Sequence, residues 1–162
     1  ASDQAFMRLR AELPRFRQPI AVVSVFAPAL FDRNMDDDRP HLGQGLVWLP
    51  ATERWRLLEI LRLVMRYRKE ETIERGIAVT REVLQATCDL ARMRGAVPVI
   101  VMPQFMPEEP AEQALRQRVL DGTNLPVVRV ELDRTWRIPG DGHPDPRAAH
   151  AIAAAIAARL RT

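Results

Sequence analysis

Three short apolar runs constrain the fold of this chain more than any other feature. They cover residues 20–26, 97–102 and 126–132, and each is rich in valine. Because the runs are mostly apolar, with polar side chains only at Ser24, Arg129 and Glu131, they are typical of strands buried on both faces of a parallel sheet. The intervening stretches have helical periodicity, so the sequence predicts strands joined by helical crossovers.

Helices are predicted between and around these strands, at 2–13, 52–69, 70–94, 108–120 and 146–160. The resulting order predicts an α/β fold, a three-layer α/β/α flavodoxin-like arrangement around a parallel sheet. Three strands make a small sheet for this architecture, so the predicted sheet is incomplete. The length of 162 residues fits one domain.

Residues 28–69 are predicted to be an insertion into that domain. The part at 28–51 contains Pro28, Pro40 and Pro50 and is predicted to be irregular. The helix at 52–69 is apolar over more than one face, so it is either buried by several neighbours or meets a partner. It is therefore a candidate contact for a homo-oligomer. The strand at 20–26 is too apolar for an open edge, so we also expect something to cover it.

The charge pattern does not favour a nucleic-acid-binding surface. The formal charge is +3, Lys69 is the single lysine, and the arginines are interspersed with acidic residues on helical segments. This pattern favours solvated helix faces, and no aromatic interleaving or reader motif indicates nucleic-acid binding.

No apolar run approaches the length of a membrane span. Any export signal would lie upstream of Ala1, so the sequence leaves the localisation open between cytoplasm and export.

Two other residues, Cys88 and His41, have side chains that could react or bind a metal, but both are predicted to have ordinary roles. Cys88 lies in a helical apolar pattern and is predicted to be a small core residue. His41 follows the acidic run at 36–38, which could hold a metal together with it. A solvated acidic loop is the favoured interpretation, and neither a metal nor a cofactor is predicted.

The segment at 141–146, Asp-Gly-His-Pro-Asp-Pro, carries the strongest chemical pattern. It follows the third strand, and ligands of open α/β sheets bind beyond the carboxyl ends of the strands. His143 on a short proline-braced loop can act as a general base, and Asp141 can fix its tautomer. Gly140 and Gly142 give the loop freedom to place the imidazole. Spacing alone leaves an ordinary helix-capping loop equally open.

The same segment resembles a known family. Residues 141–153, Asp-Gly-His-Pro-Asp-Pro-Arg-Ala-Ala-His-Ala-Ile-Ala, are similar to the last conserved block of the SGNH (GDSL-type) hydrolases. Residues 84–103 resemble the family's fourth strand unit, and residues 3–34 resemble its third strand with the helix before it. The resemblance covers nearly the whole chain and is most specific at the Asp–His block.

This resemblance implies serine-dependent ester hydrolysis without a cofactor. His143 would be the general base of a Ser-His-Asp triad, Asp141 would orient it, and Asn34 is the candidate amide of the oxyanion hole. The implied substrates are small-molecule or carbohydrate esters. Asp141 stands two residues before the histidine, whereas many family members have three.

The family's nucleophile has no counterpart in the sequence. The chain contains neither the family's Gly-Asp-Ser turn nor its glycine block; Ser2 begins a helix, and Ser24 lies within a predicted buried strand. The resemblance implies a sheet of five strands, of which this chain supplies the last three. We therefore predict that residues 1–162 are the C-terminal part of a single SGNH-like domain whose serine lies N-terminal to Ala1. The alternative is a non-catalytic α/β binding or assembly module.

Overall fold

The computed structural model of the protein describes residues 1–35, 39–52 and 70–161. Its main sheet has three parallel strands in the order β1-β4-β5. These strands are β1 (Ala21–Val25), β4 (Val97–Met106) and β5 (Val127–Asp133). Two short strands, β2 (His41–Leu42) and β3 (Trp48–Leu49), pair antiparallel in a separate hairpin. The predicted parallel sheet is confirmed.

The described helices are α1 (Ser2–Glu12), α2 (Pro28–Asn34), α3 (Glu70–Met93), α4 (Pro110–Leu120) and α5 (Pro146–Leu160). The helices predicted at 70–94, 108–120 and 146–160 agree with α3, α4 and α5 to within two residues. The predicted helix at 52–69, with its candidate oligomer contact, lies almost wholly outside the described residues. Within the described helices, none combines the length and hydropathy that crossing a bilayer requires.

Residues 28–34 are helical, although the sequence predicted an irregular loop there. Pro28 occupies the first turn of α2, a position where its missing N–H costs no helical hydrogen bond. Phe31 is only 2% exposed and packs in a core cluster with Ile77 of α3. Burial of this aromatic ring outweighs the weak helical pattern of seven residues, so α2 belongs to the helical layer of the core.

The sheet has a helical layer on each face. On one face, Ile100 and Met102 of β4 pack with side chains of α2, α3 and α4. On the other face, Val99 and Val101 pack against Ala148 and other residues of α5. The architecture is therefore a three-layer α/β/α fold built on three strands. Cys88 is 1% exposed within the first cluster, and this burial raises the pKa of its thiol, which is the core role predicted for it.

Strand β4 continues four residues beyond its predicted end at Met102, through Pro103. In a parallel strand, successive N–H groups point to opposite neighbours. The N–H of Ile100 donates to the carbonyl of Pro126 on the β5 side. The carbonyl of Val101 accepts from the N–H of Phe26 on the β1 side. Position 103 therefore faces the β1 side, where β1 has already ended at Val25. The proline loses no ladder hydrogen bond, so it does not end the strand.

Strand β1 is the exposed edge of the described sheet. Val23 and Val25 are 42% and 47% exposed, although they pair with Val99 and Val101, which are almost completely buried. Within the described ranges no strand pairs with the outer side of β1. The expectation that this strand would be covered is thus not met by the described part of the chain.

Candidate functional site

The loop at 134–145 joins β5 to α5 and carries the predicted Asp–His pair. It begins at Asp133, whose carboxylate accepts hydrogen bonds from the backbone N–H and the hydroxyl of Thr135, at 2.8 and 2.7 Å. The backbone bond comes first among the causes that hold the pKa of Asp133 below its ordinary value. This turn fixes the direction in which the chain leaves the sheet.

The loop then folds back on itself as a narrow antiparallel ribbon. Arg137 pairs with Pro144, the N–H of Ile138 donates to the carbonyl of His143 at 2.8 Å, and the N–H of Asp145 donates to Trp136 at 3.0 Å. At its tip, Gly140 and Gly142 have φ angles of +77° and +78°, which other residues rarely adopt. The two glycines therefore allow the chain to reverse directly before His143.

The base of the ribbon is fixed to the start of α5. Asp145 caps the helix by accepting from the N–H groups of Arg147 and Ala148, at 2.9 and 3.1 Å. The Arg147 guanidinium binds the same carboxylate and also donates to the carbonyl of Thr135 at 2.9 Å. Its hydrogen bond is the main cause that lowers the pKa of Asp145. The cap was predictable from the Asp-Pro pair, whereas the bond to Thr135 joins residues distant in sequence and had no local signal.

At the tip of the ribbon, Asp141 and His143 are in direct contact through Oδ1 and Nδ1. Their side chains are 52% and 75% exposed. A carboxylate at Nδ1 favours the tautomer that carries its proton there, which leaves the lone pair on Nε2. Nε2 makes no described contact, so it is available to a hydroxyl group that approaches from solvent. The geometry is that of a general base with its orienting acid.

The pair lies at the carboxyl end of the sheet. Phe105 pairs with Leu132 near the ends of β4 and β5, and the guanidinium of Arg137 lies 4.0 Å from the centre of the Phe105 ring. This cation–π contact holds the ribbon against the end of the central strand. The carboxyl ends of the strands are where ligands of open α/β sheets bind, so the position agrees with the chemistry.

Asn34 lies in a different environment. Its Oδ1 accepts from the N–H of Ser2 at 3.1 Å, and its Nδ2 donates to the hydroxyls of Thr80, at 2.8 Å, and of Ser2. These buried bonds join α2 to α1 and α3. Asn34 is the last residue of α2. By the usual helical rise it lies about 9 Å along the helix from Pro28, which follows the end of β1. The structure therefore brings Asp141 and His143 together and engages Asn34 in the core, and its oxyanion role stays a prediction.

Neither serine of the chain is a nucleophile partner for His143 in this structure. Ser2 is 5% exposed and bonded to Asn34, and Ser24 lies in the middle of β1, paired with Ile100. Ser2 is the first residue of α1 and Ser24 lies within β1, so neither occupies a strand-to-helix turn. The source of a nucleophile stays a prediction.

His41 contacts the carbonyl of Arg39 through Nδ1 at 2.8 Å. Within the described ranges, no group of three histidine, cysteine, aspartate or glutamate side chains has the spacing of a metal site. The acidic residues at 36–38, which the metal interpretation would require, lie outside those ranges.

A salt bridge that sequence reasoning missed lies near the same end of the sheet. Glu108 accepts two hydrogen bonds from Arg116, at 3.2 and 3.1 Å, and both side chains are nearly buried. The bonds from Arg116 are the main cause that lowers the pKa of Glu108, and Gln104 at the end of β4 contributes another. The pair fixes the turn between β4 and α4. Its spacing of eight residues across a turn left no helical pattern to detect.

Comparison with known proteins gives no relatives. No family model, no curated protein and no solved structure matches the chain. The SGNH relationship therefore stays a prediction.

Proposed function

We propose that the chain carries the acid–base half of an ester-hydrolysing site of the SGNH type. His143 takes the proton of a serine hydroxyl through Nε2 and later returns it to the leaving alcohol. Asp141 holds the imidazole in the required tautomer and stabilises the imidazolium. The serine belongs to a segment N-terminal to Ala1, and the substrates are acyl esters or O-acetylated carbohydrates.

The contact between Asp141 and His143 is the observation that carries this proposal. An Asp-x-His segment that only capped a helix would not need its imidazole aligned on a carboxylate. Here the capping role is filled by Asp145, two residues after the histidine. The imidazole stands at the tip of a ribbon with its side chain 75% exposed, and the ribbon is fixed at its base by Asp145 and Arg147. The residues that cap and the residues that could catalyse are thus separate.

Two single histidine substitutions in the full-length polypeptide test the proposal. We expect His143→Ala to lower kcat/KM for a chromogenic acetyl ester by at least ~1000-fold, because the serine loses its general base. His150→Ala is the matched control, since this exposed histidine lies on α5 seven residues later and makes no described hydrogen bond. It should retain wild-type activity. Equal activity of wild type and His143→Ala would contradict the proposal.

The alternative is a non-catalytic binding or assembly module. The positions of Ser2 and Ser24, away from the Asp141–His143 pair, favour it, because the described chain then holds no complete triad. The two functions differ in one outcome. Full-length polypeptide that folds, but hydrolyses no acetyl ester above the rate of His143→Ala, would favour the module.

A further inference from the structure

The chain contains two Asp-Gly pairs, Asp121–Gly122 and Asp141–Gly142. In such a pair the glycine nitrogen can attack the carboxyl carbon of the aspartate and close a five-membered succinimide ring, because glycine has no side chain to hinder the approach. Both glycines have positive φ angles, +73° and +78°. The conformation of the glycine therefore does not distinguish the two pairs, whereas the hydrogen bonds around each peptide group do.

The peptide group between Asp121 and Gly122 is held by Arg81. The guanidinium of Arg81 donates to the carbonyl of Asp121 at 3.0 Å, and it also bonds two other carbonyls at the end of α4. The N–H of Asp121 donates to the carbonyl of Gln117 at 2.8 Å. Ring closure requires the Asp-Gly peptide group to turn freely. At this pair such a turn breaks a hydrogen bond from a charged donor.

The peptide group between Asp141 and Gly142 is held less firmly. The N–H groups of both residues share the carbonyl of Ile138, at 3.2 and 3.1 Å, near the long limit of such bonds. Among the described hydrogen bonds, none is accepted by the carbonyl of Asp141. The Asp141 side chain is 52% exposed at the tip of the ribbon. This pair is therefore freer to close the ring than Asp121–Gly122.

His143 supplies a proton donor at the same carboxylate. Its Nδ1 contacts Oδ1 of Asp141. In the imidazolium form both ring nitrogens are donors, whereas an ionised carboxylate only accepts. A carboxylate oxygen leaves as water only after it gains protons, so the imidazolium can act as general acid for its departure. Among the described contacts of Asp121 there is none with a histidine.

We propose that Asp141–Gly142 is a site of spontaneous isomerisation to isoaspartate, promoted by His143. The nitrogen of Gly142 forms a bond to Cγ of Asp141 and loses its proton. Oδ1 gains this proton through solvent and the Nδ1 proton of the imidazolium, the bond from Cγ to Oδ1 breaks, and water leaves while His143 becomes neutral. A second water molecule opens the ring at either carbonyl and yields aspartate or isoaspartate. Water is the only co-reactant.

Isoaspartate at position 141 would disrupt the contact with His143. In isoaspartate the main chain runs through Cβ and Cγ, so the tip of the ribbon gains one CH2 group and the free carboxyl group is attached to Cα. The carboxylate is thereby displaced from Nδ1 of His143. The modification thus removes the group that orients the imidazole, and its chemistry does not depend on ester hydrolysis.

Ageing of the 162-residue protein at neutral pH in heavy-oxygen water tests the proposal. Each ring opening adds one heavy oxygen to the residue, whichever product forms, and peptide mass spectrometry measures this label at Asp141 and Asp121 separately. We expect labelling about tenfold faster at Asp141, because only Asp121 has to release a hydrogen bond from a charged donor. Electron-transfer fragmentation should find isoaspartate at position 141. Equal labelling, or faster labelling at Asp121, would overturn the proposal.

Substitution of His143 tests its part in the reaction. His143→Gln keeps an N–H donor for Asp141 but cannot release a proton, so labelling at Asp141 should fall at least ~10-fold. Labelling at Asp121 in the same sample reports on folding and should not change. His150→Ala is the matched control, since this histidine is exposed on α5, and both rates should stay the same. Labelling at Asp141 that is unchanged or faster in His143→Gln would overturn the role of His143.

A substitution of Arg81 tests why Asp121 reacts more slowly. Arg81→Gln should raise labelling at Asp121 toward the rate at Asp141 and leave Asp141 unchanged, because the charged donor to the Asp121 carbonyl is lost. Unchanged labelling at Asp121 would contradict this explanation. None of these measurements uses esterase activity, so failure of the proposed hydrolase and failure of the isomerisation are separate outcomes.

Discussion

The proposed chemistry of this chain depends on one imidazole and the carboxylate beside it. Asp141 and His143 are two residues apart, a spacing at which side chains of a regular strand point the same way but those of a helix do not. The positive φ angles of Gly140 and Gly142 make the local turn that brings Oδ1 to Nδ1. The sequence predicted this pair and the role of the glycines, because both depend on neighbours in the chain.

Replacing the acid while keeping its shape tests the tautomer. In Asp141→Asn, the amide can donate to Nδ1, so we expect the proton of His143 to move to Nε2. Nitrogen NMR of the imidazole in residues 1–162 should show this exchange of protonated nitrogens. The signals of His150, in the same spectrum, serve as the control and should not change. An imidazole of His143 with the same tautomer in both proteins would show that Asp141 does not orient it.

At the scale of elements, the sequence predicted what periodicity and caps encode. The helices at 70–93, 110–120 and 146–160 follow apolar repeats with a proline or glycine at an end, and their predicted bounds were close. Helix α2 was missed because seven residues are too few for a repeat, and its stability comes from burial of Phe31. The end of β4 was missed because Pro103 was interpreted as a terminator, without knowledge of which neighbour its nitrogen would face.

The turn between β4 and α4 gives a pH dependence of stability. The folded pKa of Glu108 lies below its ordinary value of 4.5 because of its bonds to Arg116. The contribution of the pair is therefore complete above about pH 4.5 and is lost as the pH falls through the folded pKa. We expect Glu108→Gln to lower the free energy of unfolding by about 2 kcal/mol at neutral pH, since Arg116 stays nearly buried.

The difference between wild type and Glu108→Gln should shrink in acid, as measured by urea unfolding between neutral pH and pH 3. Glu12→Gln is the control, because its partner Arg15 is highly exposed, and it should change stability by less than ~0.5 kcal/mol. A constant difference across the pH range would show that ionisation of Glu108 does not stabilise this turn.

At the scale of the whole molecule, the described chain is a three-layer α/β/α fold with one face of β1 uncovered. The sequence predicted the sheet, its strand order along the chain and its incompleteness, because apolar runs and crossovers are encoded locally. It did not predict the contacts of Asn34, since the bonds to Ser2 and Thr80 join positions 32 and 46 residues away. Such pairings follow from tertiary packing.

Identification of the nucleophilic serine tests the proposal that His143 is the general base of a serine hydrolase. The full-length polypeptide would be labelled with a fluorophosphonate, which reacts with an activated serine, and the modified peptide identified by mass spectrometry. We expect a single labelled serine upstream of Ala1, with labelling abolished in His143→Ala and retained in His150→Ala. A label on Ser2 or Ser24, or no label on folded polypeptide, would contradict it.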